Sequence, residues 1–203
     1  MGLLRGLLGG PGASARSWRP KKGGSQTAWV EALAIEGEAL GRSRGGLTSK
    51  IHLAVDGRGL PMSILLTPGQ AGDNPELLPL LDQVSVGSPW GGRPRKRPRR
   101  VIADKAYSHP VTRRALRARR IAFTCPERSD QIARRKAKGP GGGRPPVFDK
   151  DTYKQRNVVE RCFGRLKQFR GLATRYAKRA AYYRSEVVIA TIALWLRHSP
   201  DTP

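Results

Sequence analysis

An α/β fold, with a sheet flanked by helices, is what the sequence predicts, on three observations. Short apolar runs and helical patterns follow one another in the order strand, strand, helix, strand, helix, strand, which suits layered packing of helices on a sheet. The first two strands are joined by the turn Asp56-Gly57-Arg58-Gly59, a hairpin signal. The last apolar run, "VVIATIALWL" at 187 to 196, has the length of a buried helix and falls well short of the roughly 20 residues that span a bilayer.

Residues 1 to 28 are rich in Gly, Ser, Pro and Arg without apolar periodicity and predict disorder or a segment lacking its folding partner. The Leu pairs of "MGLLRGLLGGPGASA" imitate a secretory leader, but Arg5 interrupts an apolar stretch already too short for one. "WVEALAIEGEAL" (29 to 40) predicts a short helix weakened by Gly37, and "GRSRGG" a basic loop. Ile51, Leu53 and Val55, then Met62, Ile64 and Leu66, give the two hairpin strands their alternation. Asp73 or Asn74 as N-cap, Pro75 at the first position and Leu77, Leu78, Leu80 and Leu81 predict a helix. "GGRPRKRPRR" (91 to 100) is a charged loop with six cations. Val101, Ile102 and Ala103 form a buried strand ending at Asp104, "VTRRALRARR" (111 to 120) a basic helix, and "IAFTCP" (121 to 126) another strand. Residues 128 to 148, with Gly and Pro gathered at 139 to 146, read as a flexible insertion.

Lys and Arg number 39 against 15 Asp and Glu, a formal net charge of +24, so a polyanion is the natural partner through phosphate neutralisation. A coding bias that enriches Arg, Gly and Pro together is the plainer source of part of this charge. Cys125 and Cys162 stand alone, which signals neither a disulfide framework nor a zinc module and fits a reducing compartment. His52, His109 and His198 show no metal-ligand spacing and read as structural.

The stretch "YKQRNVVERCFGRLK" (153 to 167) places Tyr153, Arg156, Glu160 and Lys167 on one helical stripe about 60° wide, beside an apolar side of Val159, Phe163 and Leu166. Glu160 then has two readings. It pairs with Arg156 or Arg161 on a solvated face, or it serves with Asp104, which ends a buried strand where α/β sheets commonly place their chemistry. Two carboxylates on rigid elements, ringed by cations, suit Mg²⁺ next to substrate phosphates, and a two-metal site cuts or transfers a phosphodiester by in-line attack.

These residues resemble the DDE transposases of bacterial insertion sequences, in particular the insertion sequence five (IS-five) group. Tyr153, Arg156, Glu160 and Lys167 fit its Y-x2-R-x3-E-x6-K signature at every interval, and Asp104 in "VIADKAYS" is similar to its second acid. "GRSRGGLTSKIHLAVDGRGLP" and "LTPGQAGDNPELLPLL" are similar to the group as well, so the resemblance runs from about residue 36 to about 197.

The resemblance implies a ribonuclease-H-like mixed sheet of five strands flanked by helices, with acids on the first strand, the fourth strand and a later helix. Asp104 would be the second acid and Glu160 the third, together holding Mg²⁺ or Mn²⁺ in a two-metal site. Tyr153, Arg156 and Lys167 would be signature and DNA-contacting residues. The first acid should precede "GRSRGG", yet residues 1 to 35 contain no Asp. Asp56 and Asp73 read as turn and cap instead. The expected organisation is a non-native or disordered segment 1 to 35 and a partial catalytic domain 36 to 198 lacking its first strand, through frameshifting or truncation.

Three functions compete. A transposase would cleave and transfer strands at element ends, with double-stranded DNA, an upstream-frame product or a second copy as partners, in the cytoplasm on the nucleoid and away from membranes. A catalytically inactive remnant would only bind DNA through 91 to 100 and 111 to 120, and a ribosomal-type RNA-binding protein would carry the acids by accident.

Overall fold

A computed structural model describes residues 2 to 8, 38 to 43, 46 to 88 and 90 to 198. The helix expected over 29 to 40 lies outside the described residues as far as residue 37. Six strands, β1 (Gly2–Leu8), β2 (Gly41–Ser43), β3 (Gly46–Val55), β4 (Pro61–Pro68), β5 (Arg100–Ala103) and β6 (Ala122–Thr124), follow the path β2-β3-β1-β5-β6, with β4 pairing β3. The sheet is mixed: β1 and β6 run parallel to β5, whereas β2 is antiparallel to β3.

The chain divides into two compact units. The first contains 52 to 64 and 72 to 162. Its hairpin turn forms as expected: the Asp56 carboxylate accepts the amides of Arg58 at 2.9 Å and Leu60 at 2.8 Å, and Gly59 takes φ +83°. Asp73 takes the N-cap position of the 3-10 turn Asn74–Glu76 without a side-chain capping bond, and α1 (Leu77–Asp82) follows. Ser63 Oγ donates to Leu80 O at 2.8 Å, tying the hairpin to α1.

From β5 the chain passes through the 3-10 turn Lys105–Tyr107 into α2 (Pro110–Ala118) and on to β6, a parallel β-α-β passage over fully buried Val101, Ala103 and Leu116. Arg120 ends α2 in the left-handed region at φ +53°, and the Ile121 amide reaches back to Leu116 O at 2.9 Å, closing the helix and aiming the chain into β6. Thr112 Oγ1 donates to Asn74 Oδ1 at 2.8 Å, fixing α2 to the turn before α1.

Two stretches differ from expectation. Residues 128 to 148 begin with a helix, α3 (Ser129–Ala137), whose polar sequence is held by ion pairs of Asp130 with Arg128 and Arg134, and of Glu127 with Arg135. The stretch 153 to 167 is not one helix: α4 (Lys150–Lys154) stops and α5 (Asn157–Lys167) begins after the turn Gln155-Arg156. Asp149 caps α4 through the amides of Asp151 and Thr152, and successive i to i+3 bonds carry the chain across the break.

The N-terminus also departs from the sequence reading, which found no strand before residue 36. Gly2–Leu8 is a strand, with Gly2 opposite Ile102 and Leu3 opposite Ala103. Parallel pairing is set by the backbone of β5, so no alternating pattern was needed to form it.

The second unit contains α6 (Arg170–Ala173) and α7 (Ala180–Leu196). Tyr183 is fully buried, donates to Leu172 O at 3.3 Å and lies under the Arg175 guanidinium at 5.3 Å. The helix expected to be buried is so on one face only: Val187, Ala190 and Leu194 are covered, while Ile189, Ile192 and Leu196 are exposed. No helix of the described residues is long and apolar enough to cross a membrane.

Glu38 caps α7 by accepting the Ala180 amide and pairing with Arg179 Nε at 3.3 Å. The Ala180 amide, opposed by partial burial and aided by Arg179 and Arg175, holds the carboxyl below the ordinary carboxylate range. Because its folded pKa is depressed, the stabilisation is present above the unfolded value of about 4.3 and is lost as pH falls through the folded value. Thermal melts through that acid window are expected to fall more for the natural chain than for Glu38→Gln, and parallel curves would contradict this role.

Candidate functional site

The five candidate residues divide between the two units: Asp104, Tyr153, Arg156 and Glu160 belong to the first, and Lys167 to the second. Asp104 follows fully buried Ala103 at the end of β5 and caps the 3-10 turn by accepting the Ala106 amide through Oδ1. This is the turn-forming role of an ordinary Asp. Its Oδ2 has no hydrogen-bond partner among the described residues.

The strand end is held from behind by a residue that the sequence reading did not select. Buried Cys125, directly after β6, donates its thiol to Asp104 O at 3.1 Å. Burial pushes that thiol up to about 12, with Asp104 adding to the shift and Arg113 opposing it, so it stays protonated and serves as a donor. The one clue in the sequence was its place at the end of the neighbouring predicted strand.

Glu160 lies in the first turn of α5 with 51% of its side chain exposed, and its Oε1 accepts Arg156 Nη2 at 2.6 Å. The (i, i+4) pairing offered by the simpler reading is therefore present, a contact worth about 0.3–0.5 kcal/mol on an open helix face. Arg156 is more enclosed, at 23% exposed, and also covers the Tyr153 ring at 5.5 Å, so one guanidinium links the two signature residues across the break between α4 and α5. Phe148 packs on the other flank of Tyr153, with ring centroids 5.2 Å apart.

The Tyr153 phenol is half-buried beside Arg156. Burial raises its pKa, Arg156 opposes, and the charges of Asp104 and Glu160 each push it further up. Lys167 sits exposed in the last turn of α5. Among the described residues no cluster of three or more His, Cys, Asp or Glu is gathered for a metal ion. Asp56 is spent on its turn, as expected.

Comparison with known proteins gives this arrangement its context. The family profile described as "Transposase DDE domain" matches residues 18 to 196. The chain belongs to the DDE transposase family. The match takes in residues 18 to 35, which the sequence reading had placed in the non-native segment. The chain is 35% identical over 168 residues to the transposase assigned to insertion sequence element IS402 of Burkholderia cepacia, covering 82% of this chain and 64% of that protein. It is 32% identical over 152 residues to the one assigned to element IS6501 of Brucella ovis, covering 74% of this chain and 100% of that protein. This DDE transposase chain therefore spans less than two thirds of the first relative's length and all of the second's. No solved structure matches it.

Proposed function

We propose that this chain is the catalytic part of a transposase of the insertion sequence five group, which cuts DNA at the ends of its element and joins them to a target. The observation that carries the reading is the match of the transposase DDE domain profile to residues 18 to 196, with Asp104 at a strand end and Glu160 on a helix of the same unit. A ribonuclease-H-like arrangement is supported by the sheet path, in which hairpin strands β4 and β3 lead to β1 and then to parallel β5 and β6.

The chemistry of the donor set suits Mg²⁺ or Mn²⁺. Two carboxylates on rigid elements, with waters and substrate phosphates completing the shell, match the way Mg²⁺ is commonly held. Asp104 Oδ2 and the carboxylate of Glu160 would be the ligands. When bound, such ions supply an activated oxygen nucleophile and stabilise the leaving oxygen of an in-line displacement. The residues of the chain do the positioning. Cys125 and the Ala106 amide fix the Asp104 backbone and Oδ1, and Arg156 holds the Glu160 carboxylate through Oε1. Lys167 and the cations of 91 to 100 would contact the DNA backbone.

Residues 1 to 35 hold no Asp in the place of the family's first acid. The same gap favours the alternative reading, a DNA-binding remnant without activity. Purified chain incubated with DNA carrying the element's terminal repeats separates the two. Nicking that requires Mg²⁺ or Mn²⁺ and leaves a free 3′-hydroxyl supports the transposase, and binding without cutting in either ion supports the remnant.

A further inference from the structure

A strongly cationic concavity lies apart from the pair of carboxylates. It lies along α2, within the first unit, where a cavity of about 680 Å³ is lined by eight cations, seven Arg and one Lys, against only Glu127 and Asp130. Four of those cations are committed to the fold. Arg113 donates to Ser108 O and to Cys125 O, Arg128 and Arg134 pair with Asp130, and Arg135 pairs with Glu127. Arg114, Arg117, Lys138 and Arg144 are exposed and have no side-chain partner among the described residues. Four unmatched positive charges facing one concavity repel each other unless an anion enters.

A second observation points to a ligand. Ser108, 2% exposed, lines the same cavity, and its Oγ has no hydrogen-bond partner. A buried hydroxyl left without a partner costs free energy that a bound acceptor would recover. A phosphate oxygen would be such an acceptor.

The concavity continues. A neighbouring cavity of about 440 Å³ shares Arg113, Arg117, Arg144 and Pro146 with the first, and adds an apolar wall of Ile121, Phe123, Pro145 and Val147. Val147 is 79% exposed, and the Phe123 ring carries the Arg113 guanidinium at 5.3 Å. A duplex presents phosphates but keeps its bases stacked inside. An unpaired strand presents phosphates and base faces together, and a cationic groove with an aromatic, apolar wall fits that combination. Both lips are rooted at the candidate site: Ser108 stands four residues after Asp104, and Glu127 two residues after Cys125, whose thiol holds the Asp104 carbonyl.

We infer that this groove along α2 binds single-stranded DNA, with phosphates on Arg114, Arg117, Arg144 and Ser108 and a base against the Phe123 and Val147 wall. It gives a separated strand a path leading away from Asp104. The inference rests on the DNA-processing reading above but needs no catalysis to be tested.

Fluorescence anisotropy with a labelled single-stranded oligonucleotide and with the duplex of the same length, each across a salt series, provides the test. Substituting Ala for Arg114, Arg117 and Arg144 together is expected to reduce the slope of log affinity against log salt by about 2 for the single strand, at roughly 0.7 per phosphate contact. Ser108→Ala is expected to weaken single-strand binding roughly tenfold, without lowering the melting temperature, because it deletes a hydroxyl that folding leaves unsatisfied. A control replacing Lys150, Arg170 and Arg184, exposed cations outside the groove, should leave the single-strand slope in place.

Equal slope losses from both triple variants would mean diffuse attraction and overturn the assignment, as would a groove variant that loses only duplex binding. An RNA strand outcompeting the DNA strand would overturn the choice of DNA. If no form of the chain cuts DNA while the groove variant still loses single-strand binding, the catalytic reading fails and this one stands.

Discussion

Asp104→Ala is expected to lower divalent-ion-dependent cutting of terminal-repeat DNA at least about 10²–10³-fold, the scale on which removing one charge-stabilising group acts. Duplex affinity should stay within about twofold. The two readouts separate because Asp104 contributes a carboxylate to a site otherwise surrounded by cations. Under the proposed reading its removal takes away an ion ligand but no phosphate contact, and the loss of one like charge would if anything favour DNA. Glu160→Gln should produce the same loss of cutting, since it keeps the size and the Arg156 contact at (i, i+4) while deleting the charge. The Ala106 amide loses its cap in Asp104→Ala, a cost of about 0.5–2 kcal/mol, so Asp104→Asn serves as the companion that retains the cap. A fall in cutting with Asp104→Ala but not with Asp104→Asn would assign the residue to the turn alone.

The second large effect concerns the helix that carries Glu160. Leu166→Ala is expected to destabilise the fold by about 2–5 kcal/mol, because Leu166 is fully buried and its removal combines lost transfer energy with a residual cavity. Val159 and Cys162 are equally buried on the same helix and Phe163 is 6% exposed, whereas Glu160 and Lys167 face solvent. Denaturant unfolding of Leu166→Ala beside Lys167→Ala measures the contrast. The exposed substitution should shift stability by no more than about 0.5 kcal/mol, and similar losses from both would mean that α5 is not seated on this face.

The buried face of α5 was legible in the sequence because its apolar residues recur at helical spacing, and the hairpin because Asp56 and Gly59 carry turn chemistry that admits few alternatives. Asp104 was legible as the residue closing a short β-rich run. The break at Gln155-Arg156 was not, since the signature intervals keep helical spacing across it, and only the Asp149 cap and the i to i+3 bonds set α4 apart. α3 was hidden for a related reason: it has no buried residue, so its order comes from ion pairs that leave no apolar stripe, and the following Gly and Pro dominated the reading. β1 was hidden because parallel pairing draws on a partner about a hundred residues away in sequence. At the site, the spacing of Tyr153, Arg156 and Glu160 predicted their association but not its form, in which the arginine covers one residue and holds the other.

The central claim is that the carboxylates of Asp104 and Glu160 can grip one divalent cation. Anomalous diffraction from crystals of the chain soaked in Mn²⁺ tests it most directly. The account predicts a manganese peak bonded to Asp104 Oδ2 and to a Glu160 oxygen released from Arg156. Manganese bound to neither residue, or to one with Glu160 still closed on Arg156, would contradict it.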